Sequence, residues 1–219
     1  METTTPLKVS IVLCFLKKSV IKERILYKAE ELSRSIGFKA VTMDELANQL
    51  GISKKTIYQY YADKNALVDD VMTEVINKSQ IICQDTSVKA ENAVDEIFMT
   101  MKQIRKDFLH LNPIIIHDLQ RYYPDTFTKF LEHKNNFIFK LIHKNLVNGI
   151  SQGYYRSEIN AEILAKFRLE SMLLGFNQQV FPSEKYKLLD VTHAILDHFL
   201  YGISTPKGLK LIEQYKSKQ

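Results

Sequence analysis

A chain of 219 residues with 45% hydrophobic and 25% charged side chains has the composition of one or two ordinary globular domains, which excludes a disordered or fibrous protein. Its net charge of +5 is concentrated: residues 17–64 carry Lys17, Lys18, Lys22, Arg24, Lys28, Arg34, Lys39, Lys54, Lys55 and Lys64 against six acidic residues, a balance of +4, and the remainder is almost neutral. Two cysteines, Cys14 and Cys83, make no disulfide framework, so a reducing, cytoplasmic setting is expected.

The apolar run 9–16 is far shorter than the roughly 20 residues that span a bilayer, and the residues around it make a poor signal peptide. Residues 1–19 read as an N-terminal extension, with a buried arm as the alternative. From Ile21, apolar residues recur at Ile25, Ala29, Leu32 and Ile36, one helical face, and Gly37 stands where a left-handed C-cap ends a helix over 20–36. Thr42-x-x-Glu45 is a capping box that opens a short helix to Leu50. Gly51 breaks it, and Ser53 caps another over about 54–60. No Gly or Pro occurs between Gly51 and Pro113, so long helices follow: one from Asp63 to about Thr86 or Ser87, the next over about 88–110. Pro113 permits a short helix to Tyr122, and Pro124 opens a longer one to Gly149–Gly153. Segments 158–179 and 184–203 are the last two substantial helices, with a final turn after Pro206. No stretch alternates like a strand, so the fold class is all-α.

Residues 42–61, TMDELANQLGISKKTIYQYY, contain the parts of a helix-turn-helix. Ala47 is small where two helices cross, Gly51 can take positive φ in the turn, and Ile52 and Ile57 anchor the second helix on the first. With Ile57 inward, Lys54, Lys55, Thr56, Tyr58, Gln59 and Tyr60 include the outward positions where such a helix meets base edges. Lys suits phosphate or guanine, Gln59 suits adenine, and a Thr or Tyr suits a thymine methyl or a phosphate. Tyr61, one turn after Ile57, reads as a core aromatic. Lys39 reads equally as a solvated lysine or a phosphate contact.

From about Lys22 to Leu67 the sequence resembles the TetR family of transcriptional regulators. The resemblance rests on Ile36-Gly37-Phe38, Val41-Thr42-Met43, Ala47, Leu50-Gly51-Ile52-Ser53, Thr56-Ile57-Tyr58, Tyr60-Tyr61 and Asp63-Lys64-x-x-Leu67 in family order. It implies a three-helix DNA-binding head over 20–66, and a regulatory helical bundle over 67–219 that binds ligand and dimerises through its last two long helices. It also places Tyr58 and Tyr60 on the recognition helix and sets Thr42 and Lys64 against phosphates. The expected partners are a double-stranded operator, a second copy of the chain and a small effector, without a membrane; the alternative is a helical small-molecule-binding protein whose head is vestigial.

In the body, an apolar or amphipathic effector would meet Phe98, Met101, Phe108, His117, Tyr123, Phe127, Phe137, Phe167, Met172 and Phe176, although core packing is the more ordinary role of any one of the aromatics and a surface position or plain hydrogen bond that of His117. Arg168 is a second interior-leaning polar residue. The dimer interface would use Phe167, Ser171, Leu174, Gly175, Leu189, Leu196 and Phe199, with Ser171 and Gly175 four apart allowing close approach. The six histidines form no H-x-x-x-H pair, Ser204-x-x-Lys207 lacks the rest of an acylation site, and Gly149-x-x-x-Gly153 is a helix end. No metal, cofactor or enzymatic activity is expected.

Overall fold

The computed structural model describes the backbone of residues 6–217 and the side chains of residues 20–217. Residues 1–5 of the expected extension and the side chain of Cys14 lie outside the described residues. Among those described are eleven α-helices: α1 (Pro6–Ile36), α2 (Met43–Leu50), α3 (Lys54–Tyr58), α4 (Lys64–Lys89), α5 (Ala93–Phe108), α6 (Ile114–Tyr122), α7 (Pro124–Glu132), α8 (Phe139–Ser151), α9 (Ala161–Leu174), α10 (Leu188–Ile203) and α11 (Pro206–Lys216). They contain no strand; a lone antiparallel bridge joins Tyr155 and Ser204.

Several boundaries differ from the sequence expectation. The helix expected from residue 20 begins at Pro6. Thr86 does not end α4: it is buried within the helix, and the next N-cap is Asn92, whose Oδ1 accepts from Val94 N (3.0 Å) and Asp95 N (2.9 Å). Burial on a tertiary contact outweighs the weak helix preference of Thr, and Asn is the better cap. The long helix after Pro124 is interrupted by a π-helical turn, His133–Ile138, which brings Lys134 inward to Glu170 of α9 (2.6 Å). The final turn is a full helix, because Thr205 caps Gly208 N (3.1 Å) and Ile212 is completely buried.

Two hydrophobic clusters organise the chain. The first contains Ile25 and Ala29 of α1, Leu46 and Ala47 of α2, Ile57 of α3, Leu67, Val68, Val71 and Met72 of α4, and Leu119 and Tyr123 at α6. The second gathers Val94 and Met101 of α5, Leu146 of α8, Ala165 of α9, Leu196, Phe199 and Leu200 of α10 and Ile212 of α11. Helix α4 supplies its first half to the first cluster and continues toward the second. The first cluster therefore extends past residue 66, taking in α6 and, through the half-buried Phe127 and Phe130, α7.

Helices α9 and α10 meet closely where Gly175 faces Leu188; a methyl group there would sit 3.1 Å from Leu188 Cδ1. Of the residues expected at a dimer interface, Gly175, Leu196 and Phe199 are thus buried within the protomer, and Leu189 is half-buried. Phe167 (53% exposed), Ser171 and Leu174 instead line an open groove of about 530 Å³ with Glu170, Ala194, Ile195 and His198.

Candidate nucleic-acid interface

The turn between α2 and α3 is built by local chemistry. Thr42 Oγ1 accepts from Glu45 N (3.0 Å), one half of the expected capping box, while the Glu45 carboxylate takes Gln49 Nε2 (2.9 Å). Gly51 adopts φ 65° and directs its N–H to Asn48 O (3.1 Å), and Ile52 N returns to Ala47 O (3.1 Å). Ser53 then caps α3 by accepting from Thr56 N (3.1 Å). Leu46 and Ile57 are wholly buried between the two helices, which fixes the outward face of α3.

On that face Lys55 and Gln59 are exposed, and Tyr58 is 45% exposed. Lys54 is exposed but bound to Asp44 (2.7 Å), whose carboxylate holds the ammonium's pKa above its ordinary value. Thr56 is half-buried with its hydroxyl 2.8 Å from Ser53 Oγ, and Tyr60 is half-buried against the first cluster. Tyr61 is buried as expected and donates to Asp70 (3.2 Å), itself paired with Lys22 (2.8 Å).

Lys64, at the start of α4, is half-buried and donates to Lys39 O (3.0 Å) above the Tyr123 ring. Burial lowers its pKa, and the nearby Asp118 opposes that shift. Asp118 is a polar core residue that sequence reasoning missed: it is 3% exposed, and Oδ2 accepts from Lys39 N (2.8 Å). The available signal was an acid set on the apolar stripe Ile115–Leu119 of a short helix. Its neighbours complete the join between α6 and the segment that ends α1. Asn112 donates through its backbone to Arg34 O (2.7 Å) and through its side chain to Ser35 O (3.2 Å), Tyr123 donates to Phe38 O (3.5 Å), and Arg34 bonds Asp107 O.

The expected effector residues do not converge on one place. Tyr123 and Phe127 belong to the first cluster, and burial pushes the Tyr123 phenol up to about 12. His117 is on the surface rather than inside, 3.8 Å from Asp118, because α6 turns its Ile115–Leu119 stripe inward. Phe98 stacks on Tyr215, Phe137 on His133 and Phe167 on Phe199; Phe108 and Phe176 make an edge-to-face pair. Met101 is buried in the second cluster, and Met172 is half-buried on α9. Among the described residues no group of three or more His, Cys, Asp or Glu is placed to hold a metal ion, and no helix is long and apolar enough to cross a membrane.

Comparison with known proteins agrees with this geometry. Residues 25–71 match the family model for bacterial regulatory proteins of the tetR family. An uncharacterized HTH-type transcriptional regulator, YvaF of Bacillus subtilis (strain 168), is 24% identical over 186 residues, covering 83% of this chain and 95% of that one. Among solved structures, the reduced form of E. coli NemR superposes with a TM-score of 0.68 at 19% identity, covering 84% of this chain and 98% of that chain. A putative transcriptional regulator from Saccharomonospora viridis in complex with choline gives 0.70 at 15% identity, covering 85% and 99%. The helix-turn-helix geometry and the family match fall on the same residues: segment 25–71 is similar to the DNA-binding segment of the tetR family of bacterial regulatory proteins, and the chain as a whole shares its fold with solved transcriptional regulators.

Proposed function

We propose that the protein is a homodimeric, effector-responsive repressor that binds a palindromic operator in the cytoplasm. One arrangement carries the reading: α3 is pinned by the buried Ile57 and presents Lys55, Tyr58 and Gln59 to solvent. In this reading residues 20–66 are the reading head, 67–219 the regulatory and dimerising body, and 1–19 an extension. Lys54, Lys55 and Gln59 read bases. Thr42, Thr56, Tyr58, Tyr60 and Lys64 hold the head on the backbone, so Lys54 and Lys64 exchange their present partners, Asp44 and Lys39 O, for DNA. Fluorescence anisotropy against the DNA upstream of its own gene tests this. Lys64→Gln is expected to weaken every sequence alike, whereas Gln59→Ala and Lys55→Ala change which bases are preferred; uniform losses for all three would remove the reading roles. Absent or salt-insensitive binding would favour a small-molecule-binding protein with a vestigial head.

Dimerisation through α9 and α10 is supported by their exposed apolar stripe, where Ile163 and Phe167 are more than half exposed and Leu174 adjoins them. Phe167→Glu places a charge in that stripe at a side chain that is 53% exposed, and removes its stack on Phe199, so circular dichroism melting accompanies the test. The variant is expected to yield monomers in sedimentation velocity and to abolish tight operator binding, because one head covers only a half-site. The effector, apolar or amphipathic, is proposed to enter the body beside the Phe108–Phe176 pair. There it favours a dimer whose heads no longer match half-sites about 34–36 Å apart. The S. viridis neighbour, solved with choline, supports a small-molecule seat in this architecture.

A further inference from the structure

The α1–α2 loop and the end of α6 bring two cations to one tyrosine. Lys39 Nζ lies 4.8 Å from the centre of the Tyr122 ring, and Arg121 Cζ lies 6.0 Å from it. All three side chains are exposed. Among the described residues neither Lys39 nor Arg121 has a carboxylate partner, whereas Lys22, Lys54, Lys78 and Lys129 are each paired with one. Asp118, the nearby acid, is buried with one carboxylate oxygen on the Lys39 backbone N–H. Two like charges held around one hydroxyl repel each other unless an anion joins them.

We propose that Lys39, Arg121 and Tyr122 form a seat for a DNA backbone phosphate, beside the helix-turn-helix and supplied in part by α6. The inference rests on the DNA-binding reading and extends it beyond the head. Continuity with the expected interface supports the site: Lys64 Nζ bonds Lys39 O, and the Lys39 loop runs directly into Thr42, the N-cap of α2. Rigidity supports it as well, since Asp118, Asn112 and Tyr123 fix the loop onto α6 and hold the two cations in place before DNA arrives. Hydrogen bonding from Lys39, and then from Arg121, holds the Tyr122 phenol below its ordinary pKa, which marks a position already organised for negative charge. A phosphate oxygen there accepts from the ammonium, the guanidinium and the phenol O–H together, the charge-assisted geometry that arginine and lysine favour.

The test uses the whole protein and a short mixed-sequence duplex, because phosphate contacts do not depend on sequence. Arg121→Gln and Lys39→Gln are each expected to weaken binding about tenfold at low salt and to make the plot of log K against log salt shallower by about 0.9 for each phosphate released. Tyr122→Phe gives a smaller loss. Lys140→Gln, an exposed cation on α8, leaves affinity and slope unchanged. Circular dichroism melting separates these effects from misfolding, since exposed side chains of this kind shift stability by no more than about 0.5 kcal/mol. Wild-type slope and affinity in Arg121→Gln, alongside a reduced slope in Lys64→Gln, would overturn the seat and leave the DNA-binding reading intact. Wild-type protein without salt-dependent binding would overturn both.

Discussion

Gly37→Ala is expected to lower stability by about 3 kcal/mol or more, while Gly51→Ala, the same change in the same backbone region, costs about 1 kcal/mol. Both glycines hold positive φ, 84° and 65°, so both alanines suffer the same left-handed penalty. Their surroundings separate them. At Gly51 no atom lies within 4 Å of an added methyl group; at Gly37 the methyl would fall 2.6 Å from Asp118 Oδ2 and 2.7 Å from Ile114 Cγ2. Relieving that overlap moves α6 away and takes the buried carboxylate from Lys39 N, which leaves a backbone donor without its partner. Urea unfolding midpoints with unchanged slopes measure the difference. Equal losses would mean that the α6 contact contributes nothing to stability.

Arg168→Met is expected to stabilise the protein by about 1–3 kcal/mol, against the usual direction of core substitutions. Arg168 is 7% exposed, its Nη1 reaches Ser171 Oγ at 3.4 Å, and its guanidinium lies 5.9 Å from the Phe199 ring centre. Among the described residues no carboxylate pairs with it. Burial therefore lowers its pKa from 12.5 to about 10, and a shift of that size corresponds to about 3 kcal/mol as an upper figure. The sign follows from linkage. A cation whose folded pKa is depressed destabilises the fold wherever it is charged in both states, fully below about 10, and the penalty vanishes as pH rises through the unfolded value. The gain from methionine, which keeps the contact with Phe199 without the charge, should be constant between about pH 6 and 9 in thermal unfolding. A loss on substitution would show that the contacts of Arg168 with Ser171 and Phe199 outweigh the cost of burying its charge.

The helix-turn-helix was the most legible part because its signals are local. Thr42, Gly51 and Ser53 act on backbone groups within three or four residues, and the buried Ile57 follows from helical spacing inside one short segment. The contributions of Thr56 and Tyr60 were less legible. Their residue types suit DNA, yet one hydroxyl lies against Ser53 and the other ring leans on the first cluster. In the body, aromatic content gave no address. Tyr123 and Phe127 pack in the first cluster, Phe98 packs on the last helix, and His117 is outside; a residue's type does not say which of several apolar surfaces it meets.

By itself the sequence determined the all-helical class, the helix-turn-helix with its outward residues, and the concentration of positive charge around it, because periodicity, capping and composition act over one or two turns. Tertiary structure alone decided that α6 docks on the end of α1, that Asp118 seats Lys39 and that Arg121 reaches the same tyrosine. It likewise decided which half of the expected dimer surface is consumed by α9–α10 packing and which remains outside. Asp118 and Lys39 are 79 positions apart. Which distant groups meet is fixed by how whole helices bury their apolar faces, a property that no local stretch of the chain contains.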